Sequence, residues 1–474
     1  MKTLQTTLAG AALAFALGVA PLAQAQEFEI ETGLEVLQSP ATTIEGLHRL
    51  YIGRRVSPHF SIGQGIYSAA LGDAGGAFFW GFEGVAHWAL TDRLGLSFSG
   101  FVGGGGGAAQ VVGDGTMVRA GVSLDYRVNP AWDLMLSASW IRIDGAPIDG
   151  PAYGIGFRRG LGRTGGPGTG MPEMDAIGGF VTQLVAPGGT LTRSGGAQPD
   201  ITLVGARVFY NLSQGTQLSF GAAGGARGAQ GYMQIMAGIR RTADLGPVRL
   251  FAEAGVGLAG GGNVDTGAGP VVQAAIGAAL PVTRAMDVEL SFGAMASVDG
   301  GYRGAAVSLG VLRHFYRGAN GGAGERWAFS TGIQVQRAAP GFFLNPANPN
   351  TAVLMQETAF DYFVGRRLYV SGSALTTIRG GAAGYALGLV GLGYEIPLAD
   401  RWSLSLEAQL GAAGGGGVNT AGGFVAGLRA EVDYRVGDSW RLSMGLGQLT
   451  ALQGGGMRPA TLSLGLKIPF TTHH

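Results

Sequence analysis

The chain of 474 residues contains no cysteine, so it can form neither a disulfide framework nor a thiolate metal site. Charged residues make up only 13% of the sequence, about half of the share in average soluble proteins. An ordinary water-facing surface would therefore be difficult to build. The 32 basic and 31 acidic residues nearly cancel, which gives no support for a nucleic-acid-binding surface. These shortages together exclude a typical cytoplasmic enzyme.

Long hydrophobic runs are missing beyond residue 25, so no helical membrane span is predicted there. The N-terminus carries Lys2, an apolar stretch over residues 8–19 and the small-residue motif Ala23-Gln24-Ala25. About a dozen apolar residues are too few to anchor a chain across a hydrocarbon core ~30 Å thick. Residues 1–25 are therefore predicted to be a secretory signal peptide that directs Sec-type export.

Glycine is the residue in excess, with 89 copies. The glycines follow no strict three-residue period and the chain has only 19 prolines, which excludes a collagen-like triple helix. The hydrophobic fraction of 46% argues against a disordered chain. The glycines therefore belong to a folded structure that uses them.

Apolar and polar residues alternate over long stretches, of which 117–128, 402–410 and 461–470 are the clearest. An alternation with period two indicates β-strands that have one apolar face. About ten residues is the length of a tilted membrane-spanning strand, whereas strands of soluble proteins usually have five or six. The pattern predicts transmembrane β-strands.

The sequence repeats with a period of about 150 residues. Segments 94–132, 250–286 and 404–440 each contain an alternating strand, a glycine run, a second strand and a tight turn. We count eight strands in each copy. The predicted domains after the signal peptide are repeat 1 over 26–163, repeat 2 over 176–316 and repeat 3 over 327–470.

Tight turns at one end of the predicted strands and longer or glycine-rich loops at the other are typical of bacterial outer-membrane barrels, whose short turns are periplasmic. Five of the seven tryptophans lie beside the predicted short turns or at the start of a repeat, where an interfacial aromatic girdle is expected. They are Trp88, Trp132, Trp327, Trp402 and Trp440.

The last strand, Ser463-Leu-Gly-Leu-Lys-Ile-Pro-Phe470, resembles the C-terminal recognition signal of Gram-negative outer-membrane β-barrel proteins. The resemblance implies an outer-membrane location. It also implies two partners, the outer-membrane lipid and the assembly machinery that would recognise the strand ending at Phe470. One departure is that residues 471–474 follow the phenylalanine.

Two architectures are compatible with these repeats, both of them all-β and antiparallel. A single transmembrane barrel of about 24 strands would enclose a wide lumen, whereas three tandem eight-stranded barrels would each be filled by side chains. Linkers of roughly a dozen residues permit three barrels. Inward faces rich in Gly and Ser would fill a narrow barrel poorly, so the single barrel is preferred.

Charged residues on the predicted inward faces are the candidate lumen-lining residues. Arg55, Arg207 and Arg367 recur after a glycine in the three aligned repeats. The other candidates are Asp125, Arg127, Glu253, Glu407, Glu431, Asp433 and Arg435. They could form a structural ion-pair network or a ring that tunes solute selectivity.

The sequence contains no His-Glu-x-x-His or Gly-x-Ser-x-Gly motif, and Lys467 is the only lysine beyond the predicted signal peptide. A zincin site, a hydrolase nucleophile elbow and a phosphate-binding P-loop are therefore not expected. We expect no enzymatic activity, cofactor, metal or nucleic-acid partner. The expected function is a porin-like passive channel or export conduit for small solutes. The alternative is a non-conducting structural or adhesin-like outer-membrane protein.

Overall fold

A computed structural model describes residues 28–38, 43–108, 110–161, 173–315, 325–437 and 440–472, and these residues form 24 antiparallel strands. The strands are β1 (Phe28–Leu37), β2 (Ile44–Ser57), β3 (Phe60–Gly72), β4 (Phe78–Ala89), β5 (Leu94–Gly106), β6 (Thr116–Asn129), β7 (Trp132–Ile143), β8 (Ile148–Leu161), β9 (Glu173–Val185), β10 (Ile201–Ser213), β11 (Thr216–Arg227), β12 (Met233–Leu245), β13 (Val248–Gly260), β14 (Pro270–Pro281), β15 (Met286–Ser297), β16 (Arg303–His314), β17 (Glu325–Arg337), β18 (Ala352–Phe363), β19 (Leu368–Arg379), β20 (Ala386–Ala399), β21 (Trp402–Gly414), β22 (Phe424–Arg435), β23 (Arg441–Ala451) and β24 (Ala460–Thr472). Nowhere in the described segments is there a helix long and apolar enough to cross a membrane.

The strands close into three separate barrels of eight strands each. Barrel 1 contains β1–β8, barrel 2 contains β9–β16 and barrel 3 contains β17–β24, because the last strand of each set pairs with the first strand of the same set. The predicted all-β antiparallel fold and the strand count are confirmed. The preferred single barrel of 24 strands does not form, and the alternative of three tandem barrels matches the structure.

Glycines on the inward faces allow eight strands to enclose long side chains. The Phe101 ring lies in the lumen of barrel 1 against Gly81 and Gly103, and a Cβ atom on either glycine would lie 2.7 Å from this ring. A Cβ on Gly393 would lie 2.1 Å from the ring of Tyr369 in barrel 3. A glycine-rich inward face therefore does not leave a narrow barrel empty, because long side chains of neighbouring strands occupy the space. This is the physical reason why the preference for one wide barrel was wrong.

The alternation seen in the sequence separates an apolar outside from a polar inside. On β6, Val118 and Val122 are exposed, whereas Arg119, Ser123 and Asp125 are buried in the lumen. Exposed apolar side chains on the outer face of other strands include Leu136, Ile155, Val256, Ile276, Leu309, Leu392, Leu428 and Leu446. Together they form an apolar belt around the barrels.

Each barrel has a short-turn end and a loop end. The short-turn end includes the connections at 58–59, 130–131 and 400–401, and the loop end includes those at 186–200 and 338–351. The strands of the three barrels span residues 28–161, 173–314 and 325–472, and β24 continues through Thr471 and Thr472. The predicted signal peptide and most of the two linkers lie outside the described residues.

The three barrels contact one another in a closed ring at the loop end. The β3–β4 loop of barrel 1 packs on the β13–β14 loop of barrel 2, and the β11–β12 loop of barrel 2 packs on the β21–β22 loop of barrel 3. The β19–β20 loop of barrel 3 completes the ring on the β5–β6 loop of barrel 1. We call these contacts seam 1–2, seam 2–3 and seam 3–1. The same two kinds of surface meet at each seam, which is the head-to-tail arrangement that generates a closed ring.

Each seam depends on a glycine with a positive φ angle. Gly76, Gly231 and Gly384 have φ angles of 89°, 80° and 81°. A Cβ at these positions would lie 2.2 to 2.9 Å from a backbone nitrogen of the neighbouring barrel. Any side chain would therefore both strain the backbone and push the barrels apart.

Seam 3–1 joins barrels that are not consecutive in the chain, so only non-covalent contacts hold it directly. One carboxylate oxygen of Asp114 accepts hydrogen bonds from the backbone N–H groups of Gly380 (2.9 Å) and Gly381 (3.0 Å). A second contact joins the strands themselves: the Gln356 side chain on β18 donates a hydrogen bond to the Gln64 side chain on β3. Gln356 faces outward from barrel 3 and is nevertheless fully buried. Barrel 1 therefore supplies the partner of this polar group.

Seam 3–1 can be tested by cross-linking, since the chain has no cysteine of its own. We expect a Gln64→Cys/Gln356→Cys variant to be joined within one chain by a short bismaleimide reagent. The link would connect residues 292 positions apart and change the gel migration of the denatured chain. A Gln64→Cys/Leu428→Cys variant serves as the control, because Leu428 lies on the exposed outer belt. Links only between molecules, or equal yields for both variants, would contradict the ring.

Candidate functional site: three lumens with buried ion pairs

Barrel 1 contains a buried network of arginine and acidic side chains at mid-height. The Arg49 guanidinium contacts Glu31 at 2.7 Å and Glu83 at 2.6 Å. Arg158 contacts Glu31 at 2.8 Å and Asp125 at 2.6 Å. Because an unpaired buried charge costs several kcal/mol, each of these groups requires the others. The network fixes side chains from five strands across the lumen.

Barrel 3 contains a second network built from different residues. Arg429 contacts Glu357 at 2.5 Å and Glu407 at 3.3 Å. The Lys467 ammonium group lies 2.5 Å from Glu431 and 3.4 Å from both Asp361 and Asp433. The single lysine beyond the predicted signal peptide is therefore a buried structural cation of β24.

Barrel 2 has fewer charges in its lumen, and they lie towards the short-turn end. Arg240 contacts Glu253 at 2.9 Å and Glu289 at 2.6 Å, and Arg207 contacts Glu289 at 2.7 Å. The Arg240 guanidinium also lies 4.2 Å from the centre of the Phe209 ring. A cavity of about 60 Å³ remains beside this network, compared with about 20 Å³ in barrel 3.

A buried apolar layer closes each lumen on the loop side of its ion pairs. The layers include Leu47, Phe79, Met117 and Ile141 in barrel 1, Leu203, Val264 and Met295 in barrel 2, and Met355, Val418 and Val425 in barrel 3. Loop tyrosines complete the layers of the second and third barrels. Burial raises the pKa of Tyr232 and Tyr385, and it raises the pKa of Tyr302 to about 12. All three hydroxyls are therefore neutral at physiological pH.

The three arginines aligned from the sequence lie in different barrels and at different depths. Arg55 is near the short-turn end of barrel 1, where it contacts Glu29 at 3.0 Å. Arg207 lies deeper in barrel 2 and contacts Glu289. Arg367 is exposed in the turn between β18 and β19. They do not form one ring, because three separate barrels replace the single lumen.

Strand pairing also corrects the sequence alignment of these arginines. Ala69 of barrel 1 and Gly225 of barrel 2 donate the same loop hydrogen bond, at 2.8 Å in both. Counting along the paired strands from these two residues, Arg207 occupies the position of Tyr51 and not that of Arg55. The recurrence of a glycine two residues before each arginine was therefore not a sign of structural equivalence.

Most of the other candidate residues do point into a lumen. The inward group consists of Asp125 in barrel 1, Glu253 in barrel 2, and Glu407, Glu431 and Asp433 in barrel 3. Arg127 and Arg435 lie at strand ends near the short turns and are exposed. All five inward residues take part in ion pairs.

The sequence reasoning missed the cations at the centre of each network. They are Arg49, Arg119 and Arg158 in barrel 1, Arg240 in barrel 2, and Arg429 and Lys467 in barrel 3. A signal for them was present. Each one is a charged residue on the polar face of a long alternating strand. This face points into the barrel, where neither lipid nor bulk water would reach the charge.

Serine, histidine and glutamate side chains meet at the short-turn end of the barrel 1 lumen. His87 Nε2 lies 3.0 Å from Glu29 and 3.4 Å from Ser61 Oγ, while His87 Nδ1 lies 3.0 Å from Ser97 Oγ. In a serine hydrolase the acid orients the imidazole from the nitrogen opposite the nucleophile. Here the acid and Ser61 lie at the same nitrogen, and Ser61 is fully buried. Ser97 lies at the opposite nitrogen, but it is also buried and its hydroxyl donates to Asp125 and not to the imidazole. The cluster is therefore a polar contact and not a catalytic triad.

Removing one cation from a network tests whether the ion pairs support the fold. We expect Arg49→Met to lower the free energy of unfolding by about 3–5 kcal/mol, because Glu31 and Glu83 would stay buried without this partner. Urea denaturation in detergent micelles measures the change. The control is Arg142→Met, at an exposed arginine 4.0 Å from Asp149, with an expected change within about 0.5 kcal/mol. Similar values for both variants would show that the network is not structural.

No protein-family model and no curated protein matches the sequence. Among solved structures, OccK11 (OpdR) of Pseudomonas aeruginosa matches 94% of this chain and 96% of its own, with 11% identity and a TM-score of 0.23. The FrpB iron transporter of Neisseria meningitidis matches 95% of this chain and 82% of its own, with 9% identity and a TM-score of 0.30. A de novo designed transmembrane β-barrel matches 31% of this chain and 98% of its own, with 11% identity and a TM-score of 0.22. The two natural proteins belong to the outer-membrane β-barrel proteins of Gram-negative bacteria, the class that the last strand resembles.

Proposed function

We propose that this chain is an integral outer-membrane protein of a Gram-negative bacterium, in which three filled barrels form one scaffold without a porin-sized pore. The observation that carries the proposal is the content of the lumens. Buried ion pairs cross each barrel at mid-height or below, and a buried apolar layer closes each barrel towards the loops.

The membrane location is supported by the outer surface. Large apolar side chains such as Ile276 and Leu428 are 67% and 69% exposed, which is costly in water but favourable in lipid. Strands of 10 to 14 residues are long enough to cross a bilayer at a tilt. Three tryptophans, Trp88, Trp132 and Trp402, are exposed near the short-turn end, in agreement with an interfacial girdle.

Short turns in the periplasm would place the loop end outside the cell. The longest loops there are 186–200 and 338–351, and the three seams hold all the barrels' loop ends side by side. We therefore favour a structural or surface-interaction role in which this loop layer meets the partner. No catalytic step is assigned to it.

Assembly would use the last strand. β24 pairs with both β17 and β23, so barrel 3 cannot close without it. The Phe470 ring stacks on Trp327 at a distance of 6.3 Å. We propose that the outer-membrane assembly machinery recognises β24, and that the closure of barrel 3 completes insertion.

A passive-channel role is the second candidate, and the structure limits it to a narrow path. The described residues enclose no wide lumen, since every closed barrel has eight strands. The cavity in barrel 2 is the observation that favours a path for small solutes.

Conductance in planar bilayers tests the scaffold proposal. We expect the refolded protein to give no large, stable current steps, because eight-stranded barrels filled by side chains exclude hydrated ions. Folded insertion is verified by heat-modifiable migration on gels, and a trimeric porin inserted in the same bilayer is the positive control. Steps of porin size from the folded protein would overturn the proposal.

A further inference from the structure

The three lumens can be compared position by position, because their loops share hydrogen bonds. Gly105, Ala259 and Ala413 each donate a backbone hydrogen bond to the glycine that ends the following loop, at 3.1, 2.8 and 2.8 Å. Ala69 and Gly225 donate across the β3–β4 and β11–β12 loops to the backbone carbonyls of Ala77 and Tyr232, at 2.8 Å in both. These bonds give the equivalent positions without reference to sequence similarity.

Barrel 2 has small residues where barrel 1 has large ones. Tyr67 and Phe101 fill the centre of barrel 1, with their ring centres 4.8 Å apart. Counting from the shared hydrogen bonds, the equivalent residues of barrel 2 are Ala223 and Gly255. The cavity of barrel 2 lies beside Gly255. Its existence therefore follows from these replacements.

The cavity, which we call the chamber, is polar enough to hold water. Its volume of about 60 Å³ has room for about four water molecules. The polar residues that line it include Thr182, Ser219, Gln234, Gln273, Ser291 and Ser308. Arg207 also lines the chamber, and its buried Nε–H group has no hydrogen-bond partner among the described protein atoms. Water in the chamber would satisfy this donor.

The two ends of the chamber differ in chemistry. Towards the short turns, Arg207 and Glu253 retain 12% and 14% exposed side-chain surface. Towards the loops, Tyr232 is only 1% exposed and packs with Leu203 and Met295. An apolar constriction excludes water by dewetting, whereas polar groups can hydrogen-bond a passing solute. The lumen is also crossed on the short-turn side, by the buried Arg240–Glu289 pair and by Phe209 and Leu312. The tyrosine layer is therefore the barrier on the loop side of the chamber.

Tyr232 is held in place by weak contacts and by a seam. Its hydroxyl donates to Gln234 at 3.2 Å and contacts the Met295 sulfur at 3.8 Å. The preceding residue, Gly231, packs against Gly415 of barrel 3. The position of the tyrosine is thus coupled to seam 2–3.

We propose that barrel 2 is a gated path for water and small uncharged polar solutes, with Tyr232 as the lid. The proposal rests on the membrane location proposed above and adds a permeation role to one barrel. Charged solutes are disfavoured because Arg207 and Arg240 are balanced by Glu253 and Glu289, so no net charge of the wall compensates the loss of ion hydration.

Glycerol entry into proteoliposomes tests the path, measured by stopped-flow light scattering. We expect Tyr232→Ala to raise the rate of glycerol entry severalfold over the unsubstituted protein. Adding Gly255→Phe to that variant should return the rate to the original level, because the new ring would occupy the chamber. Heat-modifiable gel migration and flotation with the liposomes verify that each variant is folded and inserted.

Tyr385→Ala is the matched control. Tyr385 has the equivalent place in barrel 3, where its hydroxyl donates to Gln336 at 3.1 Å and contacts the Met457 sulfur. The lumen below it contains Gln409 and Arg429, and its cavity of about 20 Å³ is a third of the volume of the chamber. Removing this tyrosine should leave the rate of glycerol entry unchanged.

Three results would overturn the proposal. They are an unchanged rate for folded Tyr232→Ala, an increase that persists when Gly255→Phe is added, and an equal increase for Tyr385→Ala. Porin-sized conductance of the unsubstituted protein would instead overturn the scaffold proposal, so the two failures can be distinguished.

Discussion

Every lumen of this protein is organised around buried charges that must find partners. Arg49 and Arg429 each contact at least two carboxylates, and the removal of these charges from water is tolerated only because the contacts are close. Long side chains fit inside an eight-stranded barrel only where residues on the neighbouring strands are small. Gly65 and Gly391 provide this space, because a Cβ atom on either would lie 2.3 Å from the carboxylate of Glu83 or Glu407. The three features therefore depend on one another: a narrow barrel buries its charged side chains, these side chains must pair, and glycine leaves the space in which they pair.

The seams use glycine for a second purpose. Inside the barrels glycine leaves space for side chains, whereas at Gly76, Gly231 and Gly384 it lets two backbones touch. Each seam joins the loop between the third and fourth strands of one barrel to the loop between the fifth and sixth strands of the next. The loops that cap the lumens are therefore also the loops that join the barrels. A movement at one seam would therefore be transmitted to the apolar layer beneath it.

Much of the fold was predictable from the sequence. The eight strands of each copy were predictable because every barrel strand must alternate between apolar and polar residues. Inward acids such as Glu407 and Asp433 were identified because alternate residues of a strand point to the same face. The closure was not predictable, because a strand with Gly and Ser on its inward face is compatible with a wide lumen or with a narrow one filled from neighbouring strands. The alignment of Arg207 with Arg55 failed for a related reason, since glycine-arginine pairs are frequent in this sequence while register is set by strand pairing. The seams left no sequence signal beyond the glycine runs.

The covalent connection of three barrels has a consequence for how such a molecule can change. In a ring of identical subunits one substitution appears three times, so a residue that suits one barrel must suit all of them. In this chain the equivalent positions of the three barrels are separate residues, so each can be substituted alone. The seams differ, since Asp114 makes its contact in seam 3–1 and an Arg193–Asp73 pair at 2.5 Å lies between barrels 1 and 2. The lumens differ as well, since Gly255 opens the centre of barrel 2 while Phe101 fills that of barrel 1. A single chain can thus keep two barrels as rigid supports while the third acquires a different interior.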